Sequence, residues 1–172
     1  MGTSIDAIWQ LDRNRLRRHV DRLCLIDREA FGEQAWGRDS FCRLLPGKFQ
    51  LSRIALHNSI PIGYLIGSRY DSKWSHIHRI VVASSFHRKG IATRLLERFE
   101  DACLAVEIAE LTLESLVTRD AANAFYERTG FTRVSGGRLV EYLERKGKTE
   151  MKHRYVGPSD QGDVIVYGKR LA

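Results

Sequence analysis

A hydrophobic strand, a basic turn and a long helix follow one another in residues 79–96, RIVVASSFHRKGIATRLL. After Gly90 the apolar residues recur at helical spacing, which predicts a helix over residues 89–106. The first amide groups of a helix have no partners within it, and the helix dipole adds partial positive charge there. The turn before this helix is therefore predicted to bind a phosphorylated ligand.

The turn differs from the common nucleotide-binding loops. It lacks the Gly-x-x-x-x-Gly-Lys-Ser/Thr pattern of nucleoside triphosphate sites and the Gly-x-Gly-x-x-Gly pattern of dinucleotide sites. Gly90 would allow close approach to the backbone, Ala92 is too small to block it, and Arg88 and Lys89 add positive charge. We therefore expect a phosphorylated ligand of another class.

Residues 87–92, HRKGIA, resemble the signature of the GNAT superfamily of N-acetyltransferases, which is Gln/Arg-x-x-Gly-x-Gly/Ala at the start of a long helix. His87 departs from the first position of that signature. A second block, Leu113-Glu114 followed by NAFYERTGF at residues 123–131, resembles the strand and helix that come next in the family. The resemblance covers residues 5–143 and implies an enzyme that uses acetyl-coenzyme A.

Within the superfamily, the chain looks most like the RimI-type protein N-terminal acetyltransferases, which modify a ribosomal-protein alanine. Residues 26–31, IDREAF, with Trp36 after them, resemble the helix-loop-helix that shapes the acceptor groove of those enzymes. Glu114 and Tyr126 stand where those enzymes carry a catalytic base and a catalytic acid. The resemblance therefore implies that Glu114 and Tyr126 are the catalytic residues.

The chemistry of acetyl transfer needs both kinds of group. The acceptor amine must lose a proton to attack the thioester, and the departing thiolate must be stabilised. Glu114 lies on a predicted buried strand, so we expect a raised pKa and action as a base, directly or through water. The Tyr126 hydroxyl would donate a hydrogen bond to the thiolate.

A histidine on the preceding strand is an alternative base. His76 can serve because an unperturbed histidine has a pKa near neutrality. His76 and His78 alternate with Ile80 and Val82, which predicts that all four side chains share one face of that strand. The choice between Glu114 and His76 stays open at this point.

The resemblance also implies the cofactor contacts. Backbone groups of the strand would pair with the pantetheine arm of acetyl-coenzyme A, as an added strand would. Amides at the start of the helix would hold the pyrophosphate. Arg119, where the family has an asparagine, would reach a cofactor phosphate. No metal ion is expected. The predicted cofactor-binding residues are Ile80, Val81, Val82, His87, Arg88, Lys89, Gly90, Ile91, Ala92 and Thr93.

Hydrophobic periodicity along the rest of the chain predicts an α/β (α+β) fold with a mixed, mostly antiparallel sheet flanked by helices on both faces. The two-residue connection Asn58-Ser59 predicts an antiparallel hairpin. Helices are predicted to end at Phe31 and to cover residues 39–45, 89–106 and 120–128. Strands are predicted at residues 5–11, 49–57, 60–70, 74–82, 111–117, 131–134, 139–143 and 163–167.

Length and composition limit the remaining possibilities. The chain has 172 residues, 43% of them hydrophobic and 28% charged, which predicts a single N-acetyltransferase domain over residues 1–172. No apolar run approaches the length of a membrane span. Three separated cysteines, Cys24, Cys42 and Cys103, indicate reduced thiols in a cytoplasmic protein. The formal net charge of +7 would attract anionic ligands, but no nucleic-acid-binding module is recognisable.

These patterns together predict transfer of an acetyl group from acetyl-coenzyme A to a primary amine at a protein N-terminus or a lysine. The first alternative is a small-molecule acetyltransferase that acts on an antibiotic, a polyamine or an amino acid. A non-catalytic module that binds coenzyme A or nucleic acid is an alternative from another class. Glu114 and Tyr126 together favour an enzyme, because a binding module has no chemical use for both. The acceptor and the oligomeric state stay open.

Overall fold

The structure, a computed structural model, describes residues 7–156 and 162–172. The backbone contacts divide the chain into two compact units, Met1–Ala109 and Glu110–Ala172. Single-domain behaviour of residues 1–172 stays a prediction. No helix in the described part of the chain is both long and apolar enough to cross a membrane.

The N-terminal unit is built on four strands joined in the order β1-β2-β3-β4, with every pair antiparallel. Ile5, predicted to begin the first strand, lies outside the described residues. The strands are β1 Ala7–Gln10, β2 Arg53–His57, β3 Ile60–Arg69 and β4 Trp74–Val82. The helices are α1 Arg13–Phe31, α2 Arg38–Cys42, α3 Lys48–Leu51 and α4 Ile91–Leu104, with 3-10 helices at Gly32–Gln34 and Ser84–Phe86.

Helices cover both faces of this four-stranded sheet. Asp12 caps α1 by accepting a hydrogen bond from the backbone N–H of Arg15, and the apolar stripe of α1 packs in one core with Tyr64 and Ile66 of β3. On the other face, Gly67 leaves room for the ring of Phe99 from α4, because an added Cβ would come within 2.4 Å of that ring. The two faces follow from the alternation of side chains along β3.

The predicted hairpin is confirmed, and the strand before it is shorter than expected. Asn58 and Ser59 connect β2 and β3 with positive φ angles of 49° and 62°, as a tight two-residue hairpin turn requires. Residues 48–51 form α3 and not the start of a strand, because Gly47 adopts a left-handed conformation and begins a helical turn. The helix predicted over residues 39–45 is α2, which has Gly37 as its N-cap and ends at Cys42, three residues earlier than predicted.

A bulge in β4 changes which side chains share a face. Gly67 of β3 opposes Ile77 while Ile66 opposes Arg79, so the register passes over His78. Arg79 and Val81 therefore lie on the same face as His76, and Ile80 and Val82 lie on the other. The prediction that His76 shares a face with Ile80 and Val82 is wrong. It assumed strict alternation of side chains along the strand, and the extra residue of a bulge interrupts that alternation.

The C-terminal unit contains a three-stranded antiparallel sheet in the order β5-β7-β6. Its elements are β5 Glu110–Leu116, α5 Asp120–Arg128, β6 Thr132–Arg133, α6 Gly136–Arg145, a 3-10 helix at Thr149–Arg154 and β7 Val164–Arg170. The helix predicted over residues 120–128 is confirmed as α5, and Gly130 follows it with a positive φ of 92°, as glycine commonly does after a helix. The antiparallel pairs of both units and the helices around them fit the predicted fold class.

Residues 139–143 are helical, which corrects the predicted strand. Leu139, Tyr142 and Leu143 are the buried residues of α6, and their spacing of three and four is a helical period. The helix ends in a Schellman motif. The N–H of Gly147 donates to Glu144 O at 3.0 Å, and the N–H of Lys148 donates to Leu143 O at 2.8 Å.

Candidate functional site

The start of α4 has the geometry expected of an anion site. Gly90 is the N-cap with a φ of 73°, and no side chain caps the helix there. A Cβ at Gly90 would meet no heavy atom within 4 Å, and residues 87–90 are exposed. The free amides of the first turn are therefore accessible to a phosphate. Ile91 is buried and anchors the turn, while Thr93 is exposed and Ala92 is half-buried.

His87 connects this turn to the end of β4. Its imidazole Nε2 shares a 2.7 Å hydrogen bond with Val82 O, in which the ring donates. Arg88, next along the chain, has a positive φ of 57°, and the Lys89 ammonium lies 4.9 Å from the Phe86 ring centroid. The His87 side chain, which stands where the family signature has Gln or Arg, thus makes a structural hydrogen bond that the sequence alone did not indicate.

The strand residues predicted to contact the pantetheine arm lie in the C-terminal half of β4. Ile80 opposes Leu65, Val81 opposes Tyr64 and Val82 opposes Gly63 across the ladder to β3. Val81 points into the core beneath α1 and is 6% exposed. For Val81, only the backbone is therefore suited to contact a ligand.

Glu114 lies on β5 within a compact polar cluster. Its Oε1 accepts hydrogen bonds from Tyr142 Oη at 2.6 Å, Lys148 Nζ at 2.8 Å and Tyr155 Oη at 3.2 Å. Its Oε2 accepts from Lys148 Nζ at 3.1 Å. The Glu114 side chain is 23% exposed. The carboxylate is thus held mainly through one of its two oxygens.

The charges around Glu114 set its ionisation. Burial alone would raise the pKa of Glu114, but hydrogen bonds from Lys148 and Tyr142 and the nearby Lys146 hold that pKa below its ordinary value. The expectation of a raised pKa is therefore wrong, because the sequence did not reveal these donors. Burial also lowers the pKa of Lys146, to about 8.

Tyr126 lies on α5, half-buried among aromatic rings. Its ring centroid is 5.6 Å from that of Phe125, 6.0 Å from that of Phe131 and 5.6 Å from that of Tyr167. Across the β5–β7 ladder, Leu113 opposes Tyr167 while Glu114 opposes Val166. Glu114 and the Tyr126–Tyr167 pair therefore lie on opposite faces of this ladder. The structure does not bring the two predicted catalytic side chains together.

The alternative base, His76, is a buried side chain of β4. It is 5% exposed, and its ring packs edge-on against His78 at 5.0 Å and against Tyr70 at 5.9 Å between centroids. His78 in turn shares a 2.7 Å hydrogen bond with the Ser68 hydroxyl. This environment is typical of a histidine that packs within a sheet.

A buried carboxylate in the N-terminal unit was not found from the sequence. Asp27 of α1 is fully buried and accepts hydrogen bonds from the Tyr64 hydroxyl and, at 2.5 Å, from the backbone N–H of Trp36. Arg79 Nε lies 3.7 Å from Asp27 Oδ1, and its guanidinium stacks on the Phe31 ring at 3.7 Å. These contacts fix the connection between α1 and α2. A buried ionic group in an amphipathic helix is indistinguishable in sequence from a surface residue.

Replacing Asp27 with Ala is expected to destabilise the protein. The change leaves Tyr64 and Arg79 without their buried anionic partner, and loss of one member of a buried ion pair costs about 3–5 kcal/mol. Urea denaturation followed by circular dichroism measures the free energy of unfolding. The matched control is Asp21→Ala on the same helix, where an exposed pair with Arg38 at 2.6 Å is lost. Equal stability of the two variants would contradict a structural role for Asp27.

Comparison with known proteins decides the family. The family model for the acetyltransferase (GNAT) family matches residues 14–131. The chain belongs to this family. The match confirms the predicted family, whose acetyl donor is acetyl-coenzyme A. The matched residues include both the turn before α4 and the stretch from Glu114 to Phe131.

The curated relatives that the chain matches are N-alpha-acetyltransferases. It is 31% identical over 96 residues to N-alpha-acetyltransferase MAK3 from Arabidopsis thaliana, covering 54% of this chain and 50% of that protein. It is 32% identical over 97 residues to N-alpha-acetyltransferase 30 from Schizosaccharomyces pombe, covering 54% of this chain and 63% of that protein. The chain thus matches one half to just under two thirds of the length of these relatives.

A solved structure confirms the fold. The ribosomal-protein-S18-alanine N-acetyltransferase from Escherichia coli superposes with a TM-score of 0.69 at 19% sequence identity, covering 96% of this chain and 94% of that one. At this identity the likeness shows the fold alone. The predicted α/β fold of the GNAT type is confirmed.

Proposed function

We propose that this chain transfers the acetyl group of acetyl-coenzyme A to the free α-amine of a peptide or protein N-terminus. The observation that carries the proposal is the open turn before α4, where a left-handed Gly90 starts a helix without a side-chain cap in a chain of the GNAT family. The N-alpha-acetyltransferase relatives support an α-amine as the acceptor.

The turn and β4 would hold the acetyl donor. Amides from Arg88 to Thr93 would receive the pyrophosphate at the positive end of the α4 dipole, with the Arg88 and Lys89 side chains adding charge. The His87 N–H donates to Ser84 O at 3.1 Å, so the predicted amide contact of His87 does not form in this arrangement. Backbone groups of Ile80–Val82 would pair with the pantetheine amides. Acetyl-coenzyme A supplies an activated thioester, and these residues position it.

Glu114 would act on the acceptor nitrogen. Because the pKa of Glu114 is lowered, the carboxylate is ionised at neutral pH and is a weak base toward a free ammonium group. It is suited to hold the amine by a charge-assisted hydrogen bond. Once the nitrogen has bonded to the acetyl carbon, its proton is far more acidic, and Glu114 would accept it directly or through water.

A weak base favours an α-amine over a lysine. The reference pKa of an α-amine is about 7.7–8.0 and that of lysine about 10.4, so the neutral lysine costs roughly 3–4 kcal/mol more at a fixed pH. An acceptor that is already partly neutral places less demand on Glu114. A lysine or a small-molecule amine is therefore the second candidate.

Tyr126 would stabilise the departing thiolate. The family resemblance supports this role. Tyr126 lies on the face of the β5–β7 ladder opposite to Glu114, so the two groups would have to reach the reacting thioester from different sides. A hydrogen bond to the developing thiolate is sufficient, because full proton transfer from a phenol with a pKa near 10 to a thiolate is uphill.

Replacing Tyr126 with Phe tests this role. Since a hydrogen bond to a charged group contributes about 1.5–3 kcal/mol, kcat and kcat/KM should fall together by about 10- to 100-fold. The melting temperature should change little, because the ring stays. Steady-state kinetics beside a melting curve provide the measurement.

The matched control for this change is Tyr167→Phe. The Tyr167 hydroxyl donates to Glu127 Oε1 at 3.2 Å, so its loss should alter stability and leave the kinetics nearly intact. Full activity of Tyr126→Phe would show that Tyr126 is a packing residue.

Acceptor choice is tested by the release of coenzyme A in the presence of different amines. The acceptors are a peptide with a free N-terminus, the same peptide with a blocked N-terminus and an internal lysine, and a polyamine. The free N-terminus should react fastest. Faster reaction of the polyamine would favour the small-molecule alternative.

We place this reaction in the cytoplasm, as the three separated cysteines indicate.

A further inference from the structure

Three donors converge on a single oxygen of Glu114. Tyr142, Lys148 and Tyr155 all reach Oε1, between 2.6 and 3.2 Å, whereas Oε2 receives one donor from residues 7–156 and 162–172, the Lys148 ammonium at 3.1 Å. A carboxylate oxygen has two lone pairs, so the hydrogen-bond acceptor capacity of Oε1 is fully used. Oε2 keeps acceptor capacity for a further donor.

All three donors come from the segment between β6 and β7. Tyr142 is buried in α6, and Tyr155 is buried and forms a bridge to Val164 beside β7. Lys148 occupies the position after Gly147 in the Schellman motif, where its backbone N–H is bonded to Leu143 O at 2.8 Å. The backbone that carries each donor is therefore fixed by the fold.

The side chains facing Glu114 from these elements are Tyr142, Lys146, Lys148 and Tyr155. Lys148 makes the close ion pair, and its own pKa is raised because its bonds to Glu114 outweigh the effect of burial. Lys148 thus stays charged at neutral pH. A lysine in this state is a poor nucleophile and a stable counter-ion.

We propose that Lys148 is a positioning residue for acetyl transfer: with the hydroxyls of Tyr142 and Tyr155, it holds Glu114 as a fixed anion whose Oε2 receives the acceptor amine. The inference rests on the proposed function of Glu114. It assigns to the segment between β6 and β7 a role in orienting the group that binds the amine. Without Lys148, the half-buried carboxylate of Glu114 would take up a proton more readily and lose its fixed orientation.

The test is the variant Lys148→Met in the full chain. With glutamate labelled by 13C at the carboxyl carbon, and the Glu114 signal assigned by its absence in Glu114→Gln, the titration midpoint of Glu114 should rise by about one pH unit or more. At neutral pH, kcat/KM for a peptide acceptor should fall about 10- to 100-fold. Compared with Lys148→Met, the variant Lys148→Arg should restore most of the native titration midpoint and most of the native kcat/KM, because it keeps the positive charge.

Two controls separate positioning from general damage. Lys152→Met removes a positive charge from an exposed position on the same segment and should change neither measurement. In a Glu114→Gln background, Lys148→Met should cause no further loss of kcat/KM, because Lys148 acts through Glu114. An additional loss in that background would overturn the proposal.

The outcomes also separate this proposal from the proposed function. If Glu114→Gln keeps full activity, the role of Glu114 fails and the positioning role fails with it. If Glu114→Gln is inactive while Lys148→Met keeps the native titration midpoint and activity, only the positioning role of Lys148 is overturned.

Discussion

Replacing Glu114 with Gln should lower kcat by about 10²- to 10⁴-fold, the range typical of losing a general base. The amide keeps the shape of the side chain but carries no negative charge to hold an amine and cannot accept its proton. The affinity for acetyl-coenzyme A should stay unchanged, because the residues predicted to bind the donor, Ile80–Val82, His87–Thr93 and Arg119, do not include Glu114. Steady-state kinetics with a peptide acceptor and calorimetric titration with the cofactor measure the two effects.

The matched control for Glu114→Gln is Glu110→Gln. Glu110 lies on the same strand and the same face, paired with Arg138 and Arg145 at 3.7 Å each. Its replacement should leave kcat within a few-fold of the native value. His76→Ala should also have a much smaller effect than Glu114→Gln. The reverse order, with His76→Ala the slower enzyme, would transfer the role of base to His76.

Replacing Gly90 with Val should weaken binding of acetyl-coenzyme A by about 100-fold or more. A branched side chain would occupy the open space in front of the first α4 amides, and several charge-assisted hydrogen bonds to the pyrophosphate would be lost together. Valine is also strained at a φ of 73°. Calorimetric titration of the folded variant with acetyl-coenzyme A gives the affinity.

The variant Gly136→Val is the control for the effect of backbone strain alone. Gly136 has a comparable φ of 57° and equally open surroundings, but it starts α6 and has no predicted cofactor contact. This variant should bind the cofactor normally. Native cofactor affinity in a folded Gly90→Val protein would remove the basis for the pyrophosphate site.

The parts of the fold that sequence predicted correctly depend on local signals. The long α4 follows from the regular spacing of apolar residues, and the β2–β3 hairpin follows from the two polar residues between two apolar runs. The family signature lies in one short stretch, residues 87–92, and it predicts the family that the comparison confirms; the donor site that it implies stays a prediction. In each case the decisive information spans fewer than twenty consecutive residues.

The parts that sequence missed depend on contacts between distant residues or on a single inserted residue. The lowered pKa of Glu114 comes from Tyr142 and Lys148, which are about thirty residues away in the chain. The bulge at His78 reverses the faces of the residues after it without any change in composition. Residues 139–143 of α6 were predicted as a strand because a run of five residues is too short to distinguish a helical period from the alternation of a strand.

The most direct test of the central claim is the position of the transferred acetyl group. A peptide with a free N-terminus and one internal lysine is incubated with the protein and 13C-labelled acetyl-coenzyme A, and tandem mass spectrometry locates the label. We expect the label on the α-amine, and no labelling above the uncatalysed level with Glu114→Gln. Labelling of the lysine alone, or no enzyme-dependent labelling of either amine, would contradict the assignment of this chain as an N-terminal acetyltransferase.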